Sequence, residues 1–273
     1  MQIPDEVRKS VFFVLYKDKD QNLRFAGTGF FVSMQSEYSS EKTFIYMVTA
    51  KHVVIEARNC SSDDHIYARI NTRDGGSKLT GIRFDAWQSH SEDSVDAAIF
   101  QQAVDPQEFD YLTIPIEMVV DSKVIHEETI GVGDEIFLAG LFVNYFGQNK
   151  NIPIIRVGNI AAMPEERIQV SNFGEIEAYL VEARSIGGLS GSPVFVHLSG
   201  VRVKDGQTQL RGKSFYWLGL MHGHYDLREN RQNESDSLSR EAINMGIGIV
   251  VPATKILEIL NQPYFSEIRK KAG

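Results

Sequence analysis

Gly187-Gly188-Leu189-Ser190-Gly191-Ser192-Pro193-Val194-Phe195 sets a serine between glycines immediately ahead of an apolar run. The run that starts at Pro193 reads as a strand, so the serine stands on the turn that feeds it. A hydroxyl is a poor nucleophile unless a neighbouring base takes its proton, and that base needs a third group to fix its tautomer. The flanking glycines let the backbone turn sharply, so the amides of Gly188 and Ser190 can converge on a developing oxyanion. The reading of the fold therefore turns on whether a base and its orienting acid stand elsewhere in matching settings.

Both are present. Phe44-Ile45-Tyr46-Met47-Val48-Thr49-Ala50-Lys51-His52-Val53-Val54 is an apolar strand running into a short turn that presents His52. Asp96-Ala97-Ala98-Ile99-Phe100 places an aspartate at the mouth of a second apolar strand. Asp93 is the rival acid; Asp96 is preferred because it abuts the apolar strand, whereas Asp93 sits in the polar run 89–94. Ser190 is then the nucleophile, His52 its base and Asp96 the group that orients His52. Other nucleophile architectures fail on order. An α/β-hydrolase elbow requires glycine where Ser192 stands, alternating helices, and an acid and then a histidine after the serine. The subtilisin order requires an aspartate before His52, where only Asp5, Asp18 and Asp20 are available. Cys60, in Arg58-Asn59-Cys60-Ser61-Ser62, has no flanking signal of a nucleophile.

Around these three patterns the chain reads as short strands separated by polar turns. Residues 11–16, 24–33, 43–49, 66–70, 78–84 and 97–101 form a first group of six. Residues 135–141, 153–161, 177–181, 193–198, 209–222 and 245–251 form a second. The connector 103–133 between them holds one further strand, at 111–116. Strands without interleaved helices point to antiparallel barrels or sandwiches and away from βαβ units. The clearest helix follows Pro252-Ala253-Thr254, where Ile256, Leu257, Ile259 and Leu260 recur at helical spacing. The basic tail 267–271 is expected to fray, and the polar stretch 226–241 to be an exposed loop beside the cleft.

Composition sets the outer bounds. With 42% hydrophobic and 23% charged residues the chain is expected to fold into a globular body with a real core. Its 36 acidic against 28 basic residues leave a net charge of −8, which argues against a fold-wide grip on nucleic acid or anionic lipid. A single cysteine excludes an intramolecular disulfide and any cysteine-built zinc site. The six-residue apolar run at 11–16 ends in Lys17-Asp18-Lys19-Asp20, so a strand is expected there, and no leader or membrane span. The expectation is a soluble, cytoplasmic chain. His222-Gly223-His224 carries two imidazoles on one strand face, but no third ligand is evident in the sequence, and no metal is expected. Gly27-Thr28-Gly29 and Gly246-Ile247-Gly248 each lack the third glycine and following helix of a dinucleotide loop, so no cofactor is expected either.

The order His52, Asp96, Ser190 and the motifs around them resemble those of the chymotrypsin-like (trypsin-fold) serine proteases, in their bacterial disulfide-free form. Thr49-Ala50-Lys51-His52 is similar to the histidine motif of that family, and Gly188-Leu189-Ser190-Gly191-Ser192-Pro193 to its nucleophile motif. Gly27-Thr28-Gly29-Phe30-Phe31-Val32 resembles the strand that precedes the histidine. Leu218-Gly219-Leu220-Met221-His222-Gly223 and Gly246-Ile247-Gly248-Ile249-Val250-Val251-Pro252 resemble the substrate-binding and closing strands. The resemblance implies an all-β fold of two six-stranded antiparallel β-barrels with a C-terminal helix. Residues 1–120 would carry His52 and Asp96, and residues 121–273 would carry Ser190. It implies a serine endopeptidase acting on a peptide or protein, with His222, Gly223 and His224 bordering the cleft and pairing with substrate as an added strand. It places Arg184 at the floor of the specificity pocket, where it either favours an acidic substrate side chain or turns outward. Leu189 stands where zymogen-activated members hold an acid, so no activating cleavage is expected. The alternative is a latent or inactive binding or signalling module of the same fold, awaiting a regulatory protein partner.

Overall fold

His65-Ile66-Tyr67-Ala68-Arg69-Ile70-Asn71 alternates in sequence and in burial: Ile66, Ala68 and Ile70 are buried and the residues between them are half-buried. A strand with one apolar face must lay it against other apolar surface, and this requirement assembles the molecule. The computed structural model describes residues 3–39, 41–102, 104–170, 173–183, 188–198, 201–204, 207–210, 215–227 and 243–272. In its first half lie β1 (Val11–Lys17), β2 (Leu23–Gln35), β3 (Thr43–Thr49), β4 (His65–Asn71), β5 (Ser77–Arg83), β6 (Gln88–Ser89) and β7 (Ala98–Gln101). They form an antiparallel sheet in the order β5-β4-β1-β2-β3-β7-β6, which β8 (Ile114–Pro115) joins by pairing in parallel with β2. This sheet does not close. Its edges are β5 and the two-residue β6, so the first half is an eight-stranded half-barrel in place of the expected six-stranded barrel.

The second half has β9 (Glu135–Gly140), β10 (Ile154–Ala162), the hairpin β11 (Ile168–Val170) and β12 (Gly174–Ile176), β13 (Tyr179–Glu182) and β14 (Pro193–His197). A second hairpin, β15 (Val201–Lys204) and β16 (Gln207–Leu210), precedes β17 (Phe215–Leu227) and β18 (Ile243–Pro252). Six of these close into a barrel in the order β10-β13-β18-β17-β14-β9. The run 209–222, expected as one strand, is therefore shared between β16 and β17. The polar stretch 226–241 lies for the most part outside the described residues, as does Arg184.

The described residues also form four α-helices: α1 (Lys51–Cys60), α2 (Ser122–Glu128), α3 (Ala253–Leu260) and α4 (Pro263–Ala272). Where a short turn was expected after His52, the structure has the ten-residue α1. Its Val53-Val54-Ile55 run has strand propensity. Burial of Val53, Val54 and Ala57 against the sheet overrides that preference. In the connector, α2 is fixed at its start by Asp121, whose side chain accepts from the Val124 N–H at 2.7 Å. Among the described residues, no helix is long and apolar enough to cross a membrane.

The second half holds an apolar cluster of its own around Ile136, Leu138, Val194, Leu218 and Val250, yet the two halves also share a core. The largest apolar cluster runs from Phe12, Phe30, Tyr46 and Ile99 of the first half to Phe137, Phe195, Trp217 and Leu220 of the second. Phe30 meets Trp217 edge-on with ring centroids 5.5 Å apart. The tail, expected to fray, instead docks as α4. Phe265 is wholly buried and meets Tyr46 of β3 edge-on at 5.5 Å. The Arg269 guanidinium, also buried, donates to Leu260 O at 2.7 Å and to the Tyr46 hydroxyl at 3.2 Å. One apolar and one donor side chain on the same helical face are enough to hold a tail whose composition looks solvated. Phe265→Ala should lower stability by about 3–5 kcal/mol, the usual cost of emptying a buried aromatic site. The neighbouring Tyr264→Ala, at an exposed position, should stay within about 0.5 kcal/mol of wild type. Urea denaturation midpoints of the two variants provide the comparison.

Candidate active site

The centre is built on a buried charge. Asp96, in the loop that enters β7, has no solvent-exposed surface. An unpaired carboxylate there would be prohibitively costly, so its oxygens must be met by donors. Three are present. The backbone N–H of His52 reaches Asp96 Oδ1 at 2.8 Å, and the Nδ1 atoms of His52 and His222 lie 2.7 Å and 2.5 Å from Oδ2. His52 is the second residue of α1, whose first turn has no side-chain cap from Ala50. Asp96 thus satisfies an orphan N–H at a helix start and sits where the helix dipole favours negative charge. The rejected candidate Asp93 lies in open solvent and pairs with Lys51 at 2.9 Å.

These contacts tune both groups. Burial alone would raise the Asp96 carboxyl, but the nearby His52 charge and the hydrogen bonds from His222 and His52 outweigh it and hold the carboxyl well below the usual carboxylate range. For His52, burial disfavours the charged ring, yet the Asp96 charge and hydrogen bond prevail and its pKa is raised.

The serine turn meets this pair from the second half. Gly188 and Gly191 adopt φ of +99° and +85°, which L side chains rarely tolerate. Gly191 is also sterically locked, because a Cβ on it would stand 2.1 Å from Thr28 O and 2.6 Å from Thr49 Oγ1. Thr28, buried in β2, clasps the turn at two points: its N–H donates to Ser190 O at 2.9 Å and its hydroxyl to Gly188 O at 2.7 Å. The same hydroxyl accepts from Leu141 N–H at 2.9 Å, and Thr49 Oγ1 donates to Thr28 O at 2.7 Å. From the other side, Gly191 N–H donates to Met221 O and Met221 N–H to Ser192 O, both at 2.8 Å. The amides of Gly188 and Ser190 find no intramolecular acceptor among the described residues.

Ser190 Oγ donates to His222 O at 3.0 Å, so the serine–histidine hydrogen bond is not formed in this structure. His222 itself has been re-aimed. In the β17–β18 ladder Met221 pairs with Val250 and Gly223 with Ile249, which leaves His222 as the extra residue of a bulge. Its ring is only 11% exposed and stands 5.2 Å from that of His52, centroid to centroid. Phe173, just before β12, lies edge-on to both rings at 6.3 Å from His52 and 5.0 Å from His222. His222, Gly223 and His224 thus sit in β17 as expected, with His224 paired to Gly248, but His222 turns inward to Asp96. Pairing of β17 with β14 ends at Leu220, and beyond it that edge of β17 has no strand partner among the described residues.

His52, Asp96 and His222 each offer a ligand atom within a 4.8 Å cluster, so a metal ion has to be weighed. Ligand atoms of a tetrahedral ion at 2.0–2.2 Å stand roughly 3.3 Å apart. The nitrogens here lie 2.7 Å and 2.5 Å from the carboxylate oxygen. That spacing fits a shared proton and is too tight for a shared ion.

Sequence reasoning missed three of these residues in their structural roles. Thr28 was visible only as part of a glycine motif, His222 only as one of a histidine pair bordering the cleft, and Phe173 not at all. The bulge that aims His222 leaves no local trace beyond Gly223 beside it.

The same arrangement of sheets occurs in solved structures. The chain is similar to the MamO protease domain from Magnetospirillum magneticum (apo form), with a TM-score of 0.53 and 15% identity over 93% of this chain and 96% of that one. It is similar to Deg5 with a TM-score of 0.50 and 12% identity, over 92% of this chain and 87% of that one. The fold is that of the trypsin-like serine proteases. No family model and no curated protein matches the sequence. At such identities the likeness shows the fold of the chain and leaves its chemistry to the site.

Thr28→Val should strip the clasp, leaving Gly188 O and Leu141 N–H buried without partners at about 1–3 kcal/mol each. Thr28→Ser, which keeps the hydroxyl, should avoid most of that loss. Chemical denaturation of both variants tests this, and equal destabilisation of the two would show that the hydroxyl is not what holds the turn.

Proposed function

We propose that the chain is a serine endopeptidase that hydrolyses peptide bonds through an acyl-enzyme. The observation that carries this reading is that His222 joins a buried Asp96–His52 pair to the serine turn, its ring meeting Asp96 and its carbonyl accepting from Ser190 Oγ, while the Gly188 and Ser190 amides have no acceptor among the described residues. Ser190 Oγ would attack the scissile carbonyl. His52 would take its proton and later deliver it to the leaving amine, and Asp96 would hold the ring and stabilise the imidazolium. The amides of Gly188 and Ser190 would receive the oxyanion. Beyond Met221, whose backbone is bonded to Gly191 and Ser192, the β14-facing edge of β17 has no strand partner among the described residues, which suits a substrate bound as an extra strand. The substrate class is therefore an extended peptide or protein segment, and no metal or cofactor has a step to perform.

One observation favours the latent reading: the Ser190 hydroxyl is bonded to His222 O and not to His52. Its weight is small. A neutral hydrogen bond is worth about 0.5–1.5 kcal/mol net, which biases the serine by roughly tenfold or less. Catalytic hydrogen bonds commonly tighten only when substrate is bound. Rotation of one side-chain bond would free the hydroxyl, so we favour the enzyme.

A fluorophosphonate probe should label Ser190 in the wild-type chain and leave Ser190→Ala unlabelled. Turnover of a peptide library should fall on the order of a million-fold in that variant. Labelling elsewhere, or near-wild-type hydrolysis by Ser190→Ala, removes Ser190 from the role.

The pH dependence follows from sign. Only neutral His52 accepts the serine proton, and its pKa is raised above the ordinary value of about 6.5. Activity should therefore rise with pH and reach half its maximum above that value. A midpoint below it in kcat/KM would contradict the Asp96–His52 pairing. Chelators should leave the rate unchanged.

A further inference from the structure

We propose that His222 is a positioning residue that divides the Asp96 carboxylate between two imidazoles and thereby sets the basicity of His52. This rests on the protease reading for its consequence in catalysis, but its physical content is independent of turnover.

The argument begins with the count of donors. Asp96 Oδ1 receives the His52 N–H, while Oδ2 is met by two imidazole nitrogens, His52 Nδ1 at 2.7 Å and His222 Nδ1 at 2.5 Å. An orienting acid needs only the first ring. The second approaches at least as closely, from a different half of the molecule, and is delivered by a β-bulge that breaks the β17–β18 register at this residue. Bulges of this kind re-aim a side chain, and this one aims an imidazole at a carboxylate with no exposed surface.

The consequence is electrostatic. In a buried site a hydrogen bond donated to a carboxylate draws charge toward the donor and weakens the hold of that carboxylate on other partners. His52 and His222 therefore compete for one negative charge. With ring centroids 5.2 Å apart, both rings reach the same carboxylate oxygen, and the donor on His222 weakens the hold of that oxygen on His52. Among the described residues, the ionisable groups that act on this centre are Asp96 from the loop before β7, His52 and Glu56 from α1, and His222 from β17, and the β11–β12 hairpin brings the uncharged Phe173 ring against both imidazoles. His222 also uses its backbone: its carbonyl accepts the Ser190 hydroxyl at 3.0 Å. One residue thus touches both the acid that orients the base and the nucleophile that the base must serve.

The test separates the ring's bulk from its N–H. His222→Phe keeps an aromatic ring and loses the donor, and His222→Gln keeps a donor and loses the ring. His52 is followed by NMR titration of ring-labelled histidine in the full-length chain, alongside the pH profile of kcat/KM. If His222 divides the carboxylate, His222→Phe raises the His52 midpoint by about half a pH unit or more, roughly threefold in the protonated fraction at a given pH. His222→Gln restores most of the wild-type midpoint, and the acidic limb of kcat/KM moves with the NMR value. An unmoved His52 midpoint in His222→Phe overturns the proposal, as does an equal shift in Phe and Gln, which would assign the effect to packing. If His222→Phe does not fold, as judged by its circular dichroism, His222→Ala provides the same readout. Absence of turnover in every form, with the NMR shifts as predicted, would sink the protease reading and leave this inference standing.

Discussion

A carboxylate with no exposed surface is the constraint on which the centre depends. Asp96 can remain charged only if donors surround it, and no single element supplies enough of them. The start of α1 gives a backbone N–H and a ring nitrogen, and β17 gives a second ring nitrogen. Charge burial therefore fixes the relative position of three segments: the loop into β7, the helix start and the bulged strand. This explains why α1 begins where it does without a capping side chain of its own. Its cap is Asp96, 44 residues further along the chain. Removing that acid would unpin the helix start and both imidazoles together.

Much of this was legible in the sequence, for reasons tied to particular residues. Each of the three side chains proposed as the triad stands at one end of an apolar run that reads as a strand and forms one, β3 before His52, β7 after Asp96 and β14 after Ser190, so their settings could be read locally. Ile66, Ala68 and Ile70 show the period-two signal that makes such strands readable. The open first sheet was not legible. Closure depends on whether the edge strands are long enough to pair, and the two residues of β6 leave no pattern to detect. The helix α1 was hidden because Val53-Val54-Ile55 has the local preference of a strand and is held helical by what it packs on. The docked tail was hidden for the opposite reason. One buried Phe265 and one buried Arg269 are too few to mark an amphipathic helix among basic neighbours. His222 was misjudged because pairing register is a property of two strands, and a bulge changes the facing of a residue without changing its neighbours in sequence.

The serine turn shows how the two halves depend on each other. Within its own half, the turn is tied to Met221 by two backbone hydrogen bonds. Its other anchors come from β2, where Thr28 binds Ser190 O through its amide and Gly188 O through its hydroxyl. The left-handed glycines permit this approach, since a side chain on Gly191 would collide with Thr28 O and Thr49 Oγ1. Gly188 O is thus held by a buried hydroxyl, while the Gly188 and Ser190 amides have no acceptor among the described residues. A turn anchored through its carbonyls presents its amides in a fixed direction at no further cost. That is the condition for an anion site that needs no reorganisation when charge develops. Neither half holds all the groups of the proposed site by itself. The first holds Asp96, His52 and the clasp, and the second holds the serine turn and His222. The shared core of Phe30, Phe137, Phe195 and Trp217 is therefore part of the site's geometry, because it fixes the distance between those two sets of residues.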